Sequence, residues 1–130
     1  MVMLRMKRAA KGVVAVIDDD LHVLESLQSL LESARYSVRP YSSAENFLKD
    51  NADAEVHCVI SDVGMPLLDG IELQRRLLAR RPHLPVILIT GRYDFDAPGV
   101  SGVNNRGFFR KPVDAYELLQ AVETAVTPHA

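Results

Sequence analysis

A single cysteine, Cys58, excludes an internal disulfide, and its neighbours Val59 and Ile60 make it read as a small buried apolar residue. No apolar run approaches the ~20 residues that cross a bilayer. The net charge of −2 gives no global reason to bind nucleic acid or a membrane surface. Residues 1–11 carry Arg5, Lys7, Arg8 and Lys11 but lack the long apolar stretch and small-residue cleavage site of an export signal. They read as a solvated tail, and a cytoplasmic location follows. No phosphate-cradling glycine loop or dinucleotide fingerprint occurs. His22, His57, His83 and His129 show no metal-ligand spacing and read as surface or filler. No internal repeat, low-complexity stretch or interdomain linker is visible. What is present is ordinary for one globular domain with a real core: 130 residues, 48% apolar and 25% charged.

Strand and helix signals alternate along the chain. Gly12 to Ile17 is a continuous β-branched run bounded by acids, which predicts a strand buried on both faces. Leu21, Leu24, Leu27, Leu31 and Ala34 recur at helical spacing over about 20–34. Ser37 to Tyr41 is a weaker strand, and Pro40, which has no N–H, puts it at a sheet edge. Ser42-Ser43-Ala44-Glu45 reads as a capping box opening a short helix through Phe47 and Leu48. A third strand runs from His57 to Ser61 and ends at Asp62. Gly64, Pro66 and Gly70 mark the loop after it, and Asp69 caps a helix carrying Ile71, Leu73, Leu77 and Leu78. Pro85 to Ile89 is a fourth strand closing at Thr90, and Phe108 to Arg110 a short fifth. Asp114 and Glu117 cap the last helix, whose core face is Leu118, Leu119, Val122 and Val126. The expected fold class is α/β, a doubly wound parallel sheet with helices on both faces.

Parallel sheets carry their binding sites at the carboxyl ends of the strands. That rule gathers Asp18, Asp19, Asp62, Thr90 and Lys111 in one cleft. Three close carboxylates need a counter-charge, and a hard divalent cation supplies one. A hydroxyl and an ammonium beside them suit a phosphoryl group. Taken singly, Asp18 to Asp20 is equally a helix N-terminus, Asp62 a turn residue, Thr90 a strand-end hydroxyl and Lys111 a solvated cation.

Four stretches, in order and at fitting separations, carry a resemblance. They are Val16-Ile17-Asp18-Asp19-Asp20, Ser61-Asp62-Val63-Gly64-Met65-Pro66 with Asp69-Gly70, Ile87-Leu88-Ile89-Thr90-Gly91, and Phe108-Phe109-Arg110-Lys111-Pro112. The chain resembles a receiver domain of two-component response regulators, of the chemotaxis-receiver type, over residues 12–126, with 127–130 as a tail. The resemblance implies a five-stranded parallel sheet in flavodoxin-like order 2-1-3-4-5. It implies Asp62 as the phosphoacceptor, a carboxylate nucleophile. It implies Mg2+, for which Mn2+ substitutes, held by Asp18, Asp19, Asp62 and the main-chain carbonyl of Gly64. It implies Thr90 and Lys111 as phosphoryl contacts, Thr90 and Phe108 as the switch pair, and a cis peptide at Pro112. The phosphodonor is then a histidine kinase or phosphotransfer protein, and the domain is a switch rather than a turnover enzyme. No direct binding to nucleic acid or membrane is expected; the downstream protein partner is unnamed and a homodimer is left open.

The segment 92–106 departs from that pattern. Gly99 and Gly102 would each cost about 1 kcal/mol inside a helix, and Pro98 is tolerated only near a helix start. The expectation is a short or irregular fourth helix, the least ordered part of the domain. The sequence stops just after the last helix, which fits a stand-alone receiver or a fragment. Three alternatives stand beside the switch. A degenerate receiver would act only as an interaction module. An aspartyl-phosphate hydrolase would commonly need a second acid two residues after Asp62, where Gly64 stands. A flavin-binding domain would need a phosphate loop where the three acids lie.

Overall fold

Short runs punctuated by acids, glycines and prolines, the central ones mostly apolar, give short strands, and five of them pair in parallel among the described residues. The structure, a computed structural model, describes residues 10–91 and 105–127. In chain order the elements are β1 Val13–Ile17, α1 Leu21–Ser33, β2 Ser37–Tyr41, α2 Ala44–Lys49, a 3-10 turn Ala52–Ala54, β3 Cys58–Asp62, α3 Gly70–Arg80, β4 Val86–Thr90, β5 Asn105–Arg110 and α4 Ala115–Val126. The sheet order is β2-β1-β3-β4-β5, all parallel, which is the expected 2-1-3-4-5 arrangement.

Every residue of β3 and β4 is buried, as a two-sided sheet requires. Successive side chains go to opposite faces. Ala15, Ile17, Val59, Val86 and Leu88 meet Phe47 of α2 and Leu73 and Leu77 of α3 on one face. Val14, Val16, Ile60, Ile87 and Ile89 meet Leu24, Leu27 and Leu31 of α1 and Leu118 and Val122 of α4 on the other. Removing one such side chain, as in Leu→Ala, typically costs about 2–5 kcal/mol. Pro40 lies in β2, which pairs only with β1, so its missing donor faces no partner strand among the described residues.

Several local expectations shift. The cap of α2 is Ser43, whose hydroxyl accepts from Asn46 N–H, so a simple cap one residue beyond Ser42 replaces the expected capping box. Leu21 is 62% exposed: it begins α1 beside the cap Asp20 and points away from the sheet. β5 begins at Asn105, three residues before the apolar pair that announced it. Main-chain pairing of Asn105 with Val86 and Gly107 with Ile87, across an irregularity in register, extends the strand without apolar side chains. β3 begins at Cys58, and His57 is more than filler: its Nδ1 accepts from Val13 N–H at 2.9 Å, while its own N–H donates to the Val13 carbonyl at 2.8 Å. The expected irregular helix and low order of 92–106 concern residues that, for 92–104, lie outside the described residues, as do 1–9 and 128–130 of the two tails.

Candidate phosphoryl and metal site

Register explains why the candidate residues converge. Ile17 pairs with Ser61, so Asp18 and Asp62 leave adjacent strands at the same level. Asp62 pairs with Ile89, so Thr90 follows one step beyond. Thr90 pairs with Arg110, and Lys111 N–H donates to the Thr90 carbonyl at 2.7 Å. Four strands therefore deliver Asp18, Asp62, Thr90 and Lys111 to one end of the sheet. The peptide bond between Lys111 and Pro112 is cis, the form that the family resemblance implies.

The Lys111 ammonium lies 3.0 Å from Asp18 Oδ2 and 3.2 Å from Asp62 Oδ1. Asp18 is completely buried, Asp62 nearly so, and Asp19 is exposed at the mouth. Each of the three carboxylates offers an oxygen within 4.8 Å of the others. At an effective dielectric of about 20, a like-charge pair at that separation costs on the order of 3 kcal/mol. Among the described residues, three negative charges face one ammonium, a formal excess of two. Asp18 Oδ1 accepts from Asp20 N–H at 2.9 Å. Asp18 Oδ2 has the ammonium beside it but no well-directed hydrogen bond among the described residues.

The titrations follow from this crowding. Burial pushes the Asp18 carboxyl up, against the Asp20 N–H and Lys111, which pull it down; Asp62 pushes it further up. Burial alone would lower Lys111, yet its close pairing with Asp18 and the fields of both carboxylates hold it above the ordinary lysine value. An all-oxygen, net-negative cluster with an under-satisfied buried carboxylate oxygen fits a hard divalent cation. Asp18, Asp19 and Asp62 are the side chains that could hold it. Gly64 lies in the exposed loop two residues after Asp62. Thr90 is fully buried at the end of β4. Phe108 of β5 packs partly buried against the α2–α3 face, with the Arg110 guanidinium 5.7 Å from its ring centre.

Two further residues touch the Asp62 main chain, and sequence reasoning gave neither of them a role at the site. Ser61 Oγ donates to the Asp62 carbonyl at 3.0 Å. Gly70, read from sequence as a loop marker and as part of the Asp69-Gly70 pair in a stretch that carries the resemblance but given no role, is the first residue of α3 and lies against that same carbonyl. Beyond Lys111 an apolar groove of about 650 Å³ runs between α1 and the segment 111–115, lined by Val23, Leu27, Leu30, Pro112 and Val113 among others.

Comparison with known proteins agrees with the geometry. The family model described as "Response regulator receiver domain" matches residues 14–123. The transcriptional regulatory protein FixJ of Bradyrhizobium diazoefficiens is 37% identical over 120 residues, 89% of this chain and 57% of that protein. The response regulator protein TodT of Pseudomonas putida is 38% identical over 116 residues, 88% of this chain and 51% of that protein. The chain thus spans about half the length of these curated relatives. A crystal structure of a response regulator receiver domain protein from Clostridium thermocellum superposes with a TM-score of 0.82 at 31% identity, over 88% of this chain and 94% of that one.

Proposed function

From the premise that the chain belongs to the response regulator receiver domain family of two-component signalling, we propose that it is a switch operated by phosphorylation of Asp62. The observation that carries this is the Lys111 ammonium set between buried Asp18 and Asp62 at 3.0 and 3.2 Å. In the proposed reaction an Asp62 carboxylate oxygen attacks phosphorus. The bond from phosphorus to the donor's histidine nitrogen breaks, the nitrogen keeps the electron pair, and an acyl phosphate forms. Little covalent work is required of the protein; positioning and charge supply most of the catalysis. Lys111 leaves its carboxylate partners to pair with the arriving phosphoryl oxygens. Thr90, one step along the neighbouring strand, donates its hydroxyl to another, and Phe108 couples that contact to the β5 edge. Asp18, Asp19, Asp62 and the Gly64 carbonyl would hold Mg2+, or Mn2+ in its place, which neutralises the excess charge when bound.

The donor is a phosphohistidine protein, a histidine kinase or phosphotransfer protein, meeting the domain in the cytoplasm. We take 12–126 as the receiver unit and read it as a switch rather than a turnover enzyme. Relatives named as transcriptional regulators suggest control of transcription as the output of the whole protein. The test is intact mass after incubation with a small phosphodonor and Mg2+. Wild type gains one phosphoryl group and Asp62→Asn gains none; equal labelling of the two rejects the assignment.

A further inference from the structure

The Asp62 carbonyl is touched from two sides by residues that contact no ligand in the proposed reaction. A Cβ on Gly70 would stand 2.4 Å from the Asp62 carbonyl oxygen, and 3.1 Å from both its carbon and Val63 Cα. All three atoms are main chain, so no side chain can swing aside to admit a methyl group. Gly70 N–H also donates to the Val63 carbonyl at 3.1 Å, which draws the start of α3 onto this peptide. Ser61 Oγ donates to the same Asp62 oxygen at 3.0 Å.

Neither partner can yield freely. The peptide is tied to β4, because Val63 N–H donates to the Ile89 carbonyl at 2.8 Å. The start of α3 is tied by Asp69, whose carboxylate accepts from Glu72 N–H at 2.8 Å. Residues 63–69 join the two anchors, so a displacement at the start of α3 and one at the Asp62 peptide are linked through this short connection.

We propose that Gly70 and Ser61 are positioning residues for the acceptor: together they clamp the Asp62 carbonyl and so fix where its carboxylate stands relative to Asp18 and Asp19. This rests on the reading of Asp62 as acceptor and metal ligand. A group held by three carboxylate oxygens within 4.8 Å of one another is sensitive to small shifts of any one of them. Loss of a supporting contact behind a metal ligand typically weakens affinity about 10–100-fold.

The experiment measures Mn2+ affinity by the loss of the free-ion paramagnetic resonance signal, with Asp62→Asn as the blank, and phosphoryl labelling in parallel. Gly70→Ala is expected to raise the Mn2+ dissociation constant by about tenfold or more, and Ser61→Ala by severalfold. Gly12→Ala is the control. Its methyl would meet Val126 Cγ1 at 2.8 Å at the opposite end of the sheet, so it disturbs packing without touching the site. It should bind Mn2+ and take label as wild type does, even if its melting temperature falls. Folded Gly70→Ala with wild-type affinity overturns the clamp. Should Gly70→Ala not fold, Ser61→Ala decides: weakened affinity supports the clamp and unchanged affinity overturns it. A wild type that neither binds Mn2+ nor takes label overturns the reading of the site, and this inference with it.

Discussion

Two lysines sit at opposite ends of one sheet, and they keep different company. Lys11, just before β1, lies 3.1 Å from Glu123 of α4 and over the ring of Tyr36, whose hydroxyl donates to the same Glu123 at 3.1 Å. One cation meets one carboxylate, and both are partly exposed. Lys111, at the other end, meets two buried carboxylates with a third at the mouth. The first cluster is balanced and closes the fold. The second carries more negative than positive charge among the described residues. A compensated charge at the surface contributes little, whereas excess charge in a buried cluster is costly and persists where a ligand uses it.

Substitutions at the two lysines should separate these roles. The largest effect is expected at Lys111. Lys111→Ala should keep the fold but slow labelling by a small phosphodonor about 10²-fold, because the ammonium offsets charge on the transferring group. Lys11→Ala should label at the wild-type rate and lose no more than about 1 kcal/mol in denaturant unfolding. Comparable labelling by the two variants would break the comparison. Next in size is Asp19→Asn, which removes the exposed carboxylate; Mg2+ affinity should drop about tenfold by calorimetry with little change in stability. The smallest effect is expected at Tyr36→Phe, a loss of about 1 kcal/mol from the deleted hydrogen bond, with labelling unchanged.

Tyr36 also gives the balanced end a signature in pH. Burial, followed by the hydrogen bond to Glu123 and its charge, pushes the phenol up to about 12. An unfolded tyrosine titrates near 10, so the folded state holds the proton more tightly. The stability it contributes is complete below pH ~10 and is lost as pH rises from ~10 towards 12. Subtracting the Tyr36→Phe stability curve from that of wild type isolates this limb from that of Tyr41, whose phenol is also pushed up by burial to about 12. A difference that stays flat through that window would show that Tyr36 is not held as described.

The overcharged end was legible in the sequence and the balanced one was not. Asp18, Asp62 and Thr90 each close a buried, mainly apolar run and Lys111 follows the half-buried pair Phe108-Phe109, and parallel pairing carries the ends of these runs to a common edge. That inference needs only local patterns and one rule of topology. Tyr36 and Glu123 are 87 residues apart, and neither has a local signature that names the other. The Gly70 approach was invisible for the same reason: a glycine opening a helix reads as a loop marker until the strand behind it is placed. Local errors had local causes. Ser42 and Ser43 are chemically equal as caps, and backbone geometry chose the second. Asn105 to Gly107 joined β5 through main-chain bonds that side-chain patterns do not report.

The most direct test of the account is the Mg2+ dependence of thermal stability in wild type and in the double variant Asp18→Asn/Asp62→Asn. The double variant leaves Asp19 alone facing Lys111, one charge of each sign, as at the other end of the sheet. A cation that binds only the folded state raises stability by RT ln(1 + [L]/Kd). The melting temperature of wild type should therefore climb steadily with Mg2+, while that of the double variant stays flat. Equal responses in the two proteins, or none in wild type, would contradict the claim that the excess charge around Lys111 is a cation site.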